Sequence, residues 1–117
     1  MKILFIVNDA PYGTEKAYNA LRMAMATQKE PADIEVLIFL MADAVTCALP
    51  SQSTPNGYYN IERMLKAVIS KGGQVKACGS CAEARGINQL PLLDGIEIGN
   101  MGQLARWTVE ADKVLTF

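Results

Sequence analysis

The plainest chemical potential in the chain lies in two cysteines three positions apart, within Cys78-Gly79-Ser80-Cys81. A third, Cys47, stands alone among Ala44, Val45, Ala48 and Leu49. There is no histidine. Ser-His and Cys-His pairs and His-metal centres within one chain are therefore excluded, and with them the commonest general base. Chemistry falls to thiols, carboxylates, Lys, Tyr or a bound cofactor. An odd count of cysteines, 3, argues against a secreted disulfide framework. Structural zinc takes four ligands, normally Cys or His, so zinc here would need a carboxylate or a second subunit. No metal and no cofactor are expected.

The thiolate is the nucleophile, and the unpaired N–H groups at a helix start favour it over the thiol. Cys78 follows a strand-like stretch, residues 74–77, and precedes a candidate helical turn, residues 82–85. Lys76 and Arg85 bring positive charge close in sequence. With a helix starting near Gly79, Arg85 falls about two turns beyond Cys78 on nearly the same face, where it can stabilise an anionic sulfur. The spacing leaves four readings open. Cys78 carries a nucleophilic thiol or persulfide. Cys78 and Cys81 form a thiol–disulfide switch, although a thioredoxin-like C-x-x-C normally follows the first strand of its core. The pair contributes to a zinc site. Or the two are simply small residues at a packed turn. Cys47 reads as a buried small hydrophobe.

The elements that must position these thiols alternate between strand and helix. Residues 3–7 form an unbroken apolar run of strand length. Residues 8–13 break it, Thr14 is a candidate N-cap, and a helix is expected to about residue 27 with Ala17, Leu21, Ala24 and Met25 on one face. Residues 34–41 are a second strand. This order predicts a parallel βαβ unit. A short helix over residues 43–49, with Asp43 as a candidate cap, leads into a loop at 50–57. Helical spacing of Tyr58, Ile61, Leu65 and Val68 predicts a helix over 58–70, stopped by Gly72-Gly73. After the third strand at 74–77, residues 92–98 fit either a hairpin around Asp94-Gly95 or a loop feeding a strand at 95–98. The alternation elsewhere favours the strand. Asn100 and Gln103 resemble a capping box for a helix to about residue 111, and residues 113–117 are a last strand. The expectation is a single α/β domain over 1–117, with a doubly wound, mainly parallel sheet of about five strands and helices on both faces.

In such sheets sites form beyond the carboxyl ends of the strands. Residues 8–13, 42–43 and 78–81 all leave strands there, so Asn8, Tyr12 and Asp43 join Cys78, Cys81 and Arg85 as candidate site residues. Residues 8–14 lack both a G-x-G-x-x-G and a Walker pattern. Lys76 aside, charge is interspersed and the net is −1; no basic patch stands out, which disfavours nucleic acid. No apolar run reaches the ~18 residues of a membrane span. Residues 1–7 lack a signal-peptide cleavage pattern, so a cytoplasmic location is expected. Half the residues are apolar, 50%, rich enough in a small domain for some to cover an oligomer interface.

The run Cys78-Gly79-Ser80-Cys81-Ala82-Glu83-Ala84-Arg85-Gly86-Ile87 resembles the sulfur-carrier segment of the DsrE/DsrF-like family, where a cysteine is followed eight residues later by the glycine of an Arg-Gly-Ile or Arg-Gly-Val step. Ala10-Pro11-Tyr12-Gly13, Phe39-Leu40-Met41-Ala42-Asp43-Ala44-Val45, Gly57-Tyr58, Asn60-Ile61, Leu90-Pro91-Leu92-Leu93-Asp94-Gly95 and the stretch Ala111-Asp112-Lys113-Val114-Leu115-Thr116-Phe117 extend the resemblance across the chain, towards the YchN-type subgroup. The resemblance implies a flavodoxin-like parallel sheet and a homotrimer or homohexamer. It also implies that Cys78, by motif match, holds a persulfide and passes it to a partner protein, with donor and acceptor unspecified. Cys81 lies outside the general carrier pattern and leaves room for disulfide formation or persulfide resolution. A non-catalytic oligomeric module binding a nucleotide or small anion at the same edge is the alternative.

Overall fold

Strands buried on two faces are apolar without alternation, and the first two strands read that way. β1 spans Lys2–Val7 and β2 spans Glu35–Leu40. Side chains alternate sides along a strand, yet the neighbours Leu4 and Phe5 are both fully buried, as are Ile38 and Phe39. Both faces of the sheet centre are therefore covered. The computed structural model describes all 117 residues. Its other elements are α1 (Lys16–Thr27), a 3-10 helix (Ala42–Ala48), α2 (Ile61–Ser70), β3 (Gln74–Cys78), α3 (Gly79–Ala84), β4 (Ile96–Gly99), α4 (Met101–Glu110) and β5 (Lys113–Thr116).

The five strands lie in the order β4-β3-β2-β1-β5, and every neighbouring pair is parallel. The chain is thus an α/β protein with a parallel sheet, and the hairpin alternative at Asp94-Gly95 is overturned: β4 pairs parallel to β3, with Val75 opposite Ile96 and Cys78 opposite Gly99. α1 and α2 pack on each other, tied by the Gln28 amide donating to the Val68 carbonyl at 3.0 Å. α4 lies on the opposite face. Its Trp107 meets Phe39 edge-on, with ring centroids 6.1 Å apart, and the Lys76 ammonium sits 5.6 Å above the Trp107 ring. One continuous apolar cluster runs through the sheet.

Helix starts differ from expectation more than strands do. α1 begins at Lys16, not after Thr14, and Glu15 holds the cap position without a side-chain cap bond. The reason is local: the Thr14 hydroxyl donates to the Asp9 carboxylate at 2.8 Å, and its oxygen meets the Lys16 N–H only at 3.4 Å. α2 begins at Ile61 because Asn60 caps it, its Oδ1 accepting from the Arg63 N–H at 3.1 Å. Tyr58 stays outside the helix and is half exposed. Asp43 is not a cap either; Met41 holds that position before the 3-10 helix. The turn expected at residues 82–85 starts three residues earlier, at Gly79. The capping box at Asn100 and Gln103 is present in both directions.

The strand order has a direct consequence for the site. β1, β2 and β3 are adjacent, so the segments that follow them emerge side by side at the carboxyl edge of the sheet.

Candidate functional site

Cys78 is the last residue of β3 and the cap residue of α3. The ladder to Gly99 fixes its backbone on one side, and the turn into α3 fixes it on the other. That turn depends on glycine through crowding. A Cβ at Gly79 would stand 3.0 Å from the Ile98 Cγ2 and 3.1 Å from the Gly99 carbonyl oxygen. A Cβ at Gly99 would press on Gln103, Phe39 and Lys76 at 3.1 to 3.2 Å. Gly79 thus lets α3 start hard against β4, and Gly99 lets β4 lie close to α4, β2 and β3; the start of α3 sets where the Cys78 sulfur points.

The sulfur is enclosed, with Cys78 only 3% exposed. Burial alone would push its thiol up, because the charged form loses solvation. Donors outweigh it. The Ser80 hydroxyl, 3.3 Å from the Cys78 Sγ, is the strongest, followed by the Cys81 thiol and the N–H groups of Cys81 and Ser80, and the net effect holds Cys78 below the ordinary thiol range. The two N–H groups face the sulfur without closing a full capping bond in the thiol state.

Cys81, partly exposed, moves the other way. Burial raises its thiol, and so does its engagement with Cys78; the Ala42 N–H and the Arg85 charge oppose the rise without overcoming it. Ala42 has φ +49°, a left-handed conformation that costs an alanine roughly 1–2 kcal/mol. This bend comes one residue after β2, and its N–H is one of the groups that act to lower the Cys81 thiol.

Arg85 sits beside Cys81 and not beside Cys78. Its Nε donates to Asp43 Oδ1 at 2.9 Å, its Nη2 lies 2.9 Å from the same oxygen, and its Nη1 donates to the Cys81 carbonyl at 3.1 Å. Asp43, Cys81 and Arg85 therefore form one group, which clamps the 3-10 helix to α3. Asn8 and Tyr12 lie on the same edge but have other partners. The Asn8 amide donates to the Phe117 carbonyl at 3.3 Å. The Tyr12 hydroxyl meets Thr54 at 3.2 Å and accepts from the Ile61 N–H at 3.4 Å. Lys76 pairs with Glu97 at 2.9 Å and covers Trp107. A broad surface hollow of about 780 Å³ runs along α1 past Tyr18, Arg22 and Met64, away from Cys78.

Two contributors escaped the sequence reading. Ser80 lay inside the motif, and its place two residues after a cap cysteine was the available signal. Ala42 lay in the 42–43 segment already expected at this edge, but no rule selects an alanine for a left-handed bend.

The chain is similar to known proteins over its whole length. The DsrE/DsrF-like family profile aligns with residues 1–117. Protein YchN of Escherichia coli K12 is 47% identical over 116 residues, covering 99% of this chain and 98% of its own. A Methanocaldococcus jannaschii protein known as uncharacterized protein MJ0989 is 40% identical over 117 residues, covering 100% of both chains. The crystal structure of the E. coli YchN protein superposes with a TM-score of 0.93 at 46% identity, over 99% of this chain and 98% of that one. Protein MTH1491 from Methanobacterium thermoautotrophicum, at 11% identity and a TM-score of 0.81 over 99% of this chain and 98% of its own, shares the fold. With the parallel sheet, a profile match over its whole length and relatives this similar, the chain belongs to the DsrE/DsrF-like family.

Proposed function

We propose that this protein is a sulfur carrier, in which Cys78 accepts a sulfane sulfur as a persulfide and passes it to a partner protein. The observation that carries the reading is an enclosed thiol kept acidic by neighbours that donate to it. In loading, the Cys78 thiolate attacks the outer sulfur of a donor persulfide, the donor's S–S bond breaks, and the donor leaves as a thiol. A persulfide adds one atom, so it needs donors around a sulfur and no large cavity. The Ser80 hydroxyl and the N–H groups of Ser80 and Cys81 face where the added charge develops. The family membership supports the same chemistry.

The test is mass spectrometry after incubation with a small-molecule persulfide donor, run on Cys81→Ser so that Cys78 is the one thiol left at the sheet edge. The expected result is a gain of one sulfur atom, mapped to Cys78 and absent when Cys78→Ser is added. Retention of that sulfur in the double variant, or its mapping to Cys47, overturns the reading.

The reading includes a homotrimer or homohexamer as the working form. The exposed apolar side chains of Met101, Val109 and Val114, on α4 and β5, are the surface such an assembly would cover. Light scattering at micromolar concentration should give a mass of at least three chains; a single-chain mass removes the assembly from the proposal.

A further inference from the structure

Cys81 has an arrangement of its own that carriage of sulfur on Cys78 does not use. It occupies the third position of α3, three residues after the cap residue Cys78. Cap and third-position side chains lie on one side of a helix start, which places the two sulfurs at the same end of α3, and each thiol affects the acidity of the other. A second element packs independently on Cys81. Arg85, joined to the Cys81 carbonyl and to Asp43, holds the strained bend at Ala42 against α3, and the Ala42 N–H and the Arg85 charge both act to lower the Cys81 thiol. Neither cysteine is in a disulfide.

We infer that Cys81 is a resolving thiol, which discharges the Cys78 persulfide as sulfide and leaves a Cys78–Cys81 disulfide. This rests on the proposed loading of Cys78 and adds a reductive outcome to it. The Cys81 sulfur attacks the Cys78 Sγ; the bond from Cys78 to the sulfane sulfur breaks, and a bond between the two cysteine sulfurs forms. The Cys81 proton leaves with the departing sulfur, so Cys78 persulfide anion plus Cys81 thiol give the disulfide plus hydrosulfide. The sulfane sulfur gains two electrons, and the two cysteine sulfurs together lose two. The Ala42 N–H and the Arg85 charge offset part of the rise in the Cys81 thiol, which gives up its proton in the course of the attack.

The disulfide must then be reduced by a dithiol, and the structure gives that step a direction. Of the two sulfurs, Cys81 belongs to the more exposed residue. Cys78 is the thiol with donors already in place, and the more acidic thiol leaves faster. An incoming dithiol therefore attacks Cys81 and expels Cys78 as thiolate. Its second thiol then releases Cys81, and the dithiol departs as its own disulfide.

The experiment follows sulfide and protein mass together, after a small-molecule persulfide donor is added to the reduced full chain and excess donor is removed. The unsubstituted protein should release one sulfide per chain and lose the mass of two hydrogens, with Cys78 and Cys81 found in one cross-linked peptide. Dithiothreitol should restore both thiols for a second round. Cys81→Ser should keep the added sulfur on Cys78 and release no sulfide. If Cys81→Ser loads while the unsubstituted protein also keeps its added sulfur, with no disulfide and no sulfide, the resolving role is overturned and the carrier reading stands. If Cys81→Ser does not load, both fall. If sulfide release survives in Cys81→Ser, the resolving role again falls. Arg85→Gln removes the charge beside Cys81 without touching a thiol and should slow sulfide release while Cys78 still loads. Unchanged release, with the folded state verified by circular dichroism, would overturn the part assigned to Arg85.

Discussion

Cys47 and Cys78 both show little surface, 2% and 3% exposed, but Cys47 lies much deeper in the protein, and their acidities diverge. Burial pushes Cys47 up to about 12, with the nearby Asp9 charge adding to the rise and only its own backbone N–H opposing it. Its thiol donates to the Asp9 carbonyl at 3.8 Å, so its partner stabilises the protonated form. Cys78 has donors around it and is held low. Depth sets the cost of a charge, and the kind of hydrogen-bonding neighbour decides how far that cost is met. Here both act in the same direction: Cys47 is deeper and faces a carbonyl, while Cys78 is shallower and faces donors.

The contrast is sharpest in alkylation. With iodoacetamide at neutral pH, mapped by peptide mass, Cys78 should react far ahead of Cys47. The thiolate fraction of Cys47 is lower by at least about a thousandfold, given a value of about 12 against one below 9.0. Equal labelling of the two would break the comparison.

A second test removes the geometry that gives Cys78 its donors. Gly79→Ala forces a methyl to 3.0 Å from Ile98 and 3.1 Å from the Gly99 carbonyl. It should cost about 1–3 kcal/mol in denaturant unfolding and slow alkylation of Cys78 while leaving Cys47 as it was. Unchanged stability with unchanged labelling would show that the close approach to β4 does not position the sulfur.

The smallest effect is in stability against pH, where the two thiols act oppositely. A group held low when folded adds stability as pH rises through its folded value towards 9.0, and loses it as pH falls. A group held high contributes fully below 9.0 and loses that contribution between 9.0 and about 12. Relative to Cys78→Ser, the protein should gain stability with pH up to about 9. Relative to Cys47→Ala, it should lose stability above that, by at most about 1.4 kcal/mol per pH unit. Parallel curves for both variants would mean that the two cysteines titrate alike.

Much of this was legible in the sequence, for identifiable reasons. The unbroken apolar runs of β1 and β2 needed only burial on both faces, and Asn100 with Gln103 met the requirements of a capping box within four residues. Cys78 was legible as a thiol at a strand-to-helix junction because its chain neighbours supply that junction. What escaped depends on contacts far apart in sequence or on competition between polar groups. Asp9 takes the Thr14 hydroxyl from its expected capping role. Asp43 meets Arg85 across 42 positions, and periodicity had aimed Arg85 at Cys78. The closeness of Gly79 to Gly99 exists only once β4 lies beside β3.

Trp107 is the only tryptophan in the chain, and it is nearly buried beneath the Lys76 ammonium and against Phe39. Lys76 precedes Cys78 by two residues in β3 and so shares its side of the sheet. The molecule thus carries a built-in optical reporter behind its sulfur edge. Rearrangements at Cys78 that travel along β3 would register as changes in intrinsic emission, with no dye attached and no second tryptophan to confuse the signal.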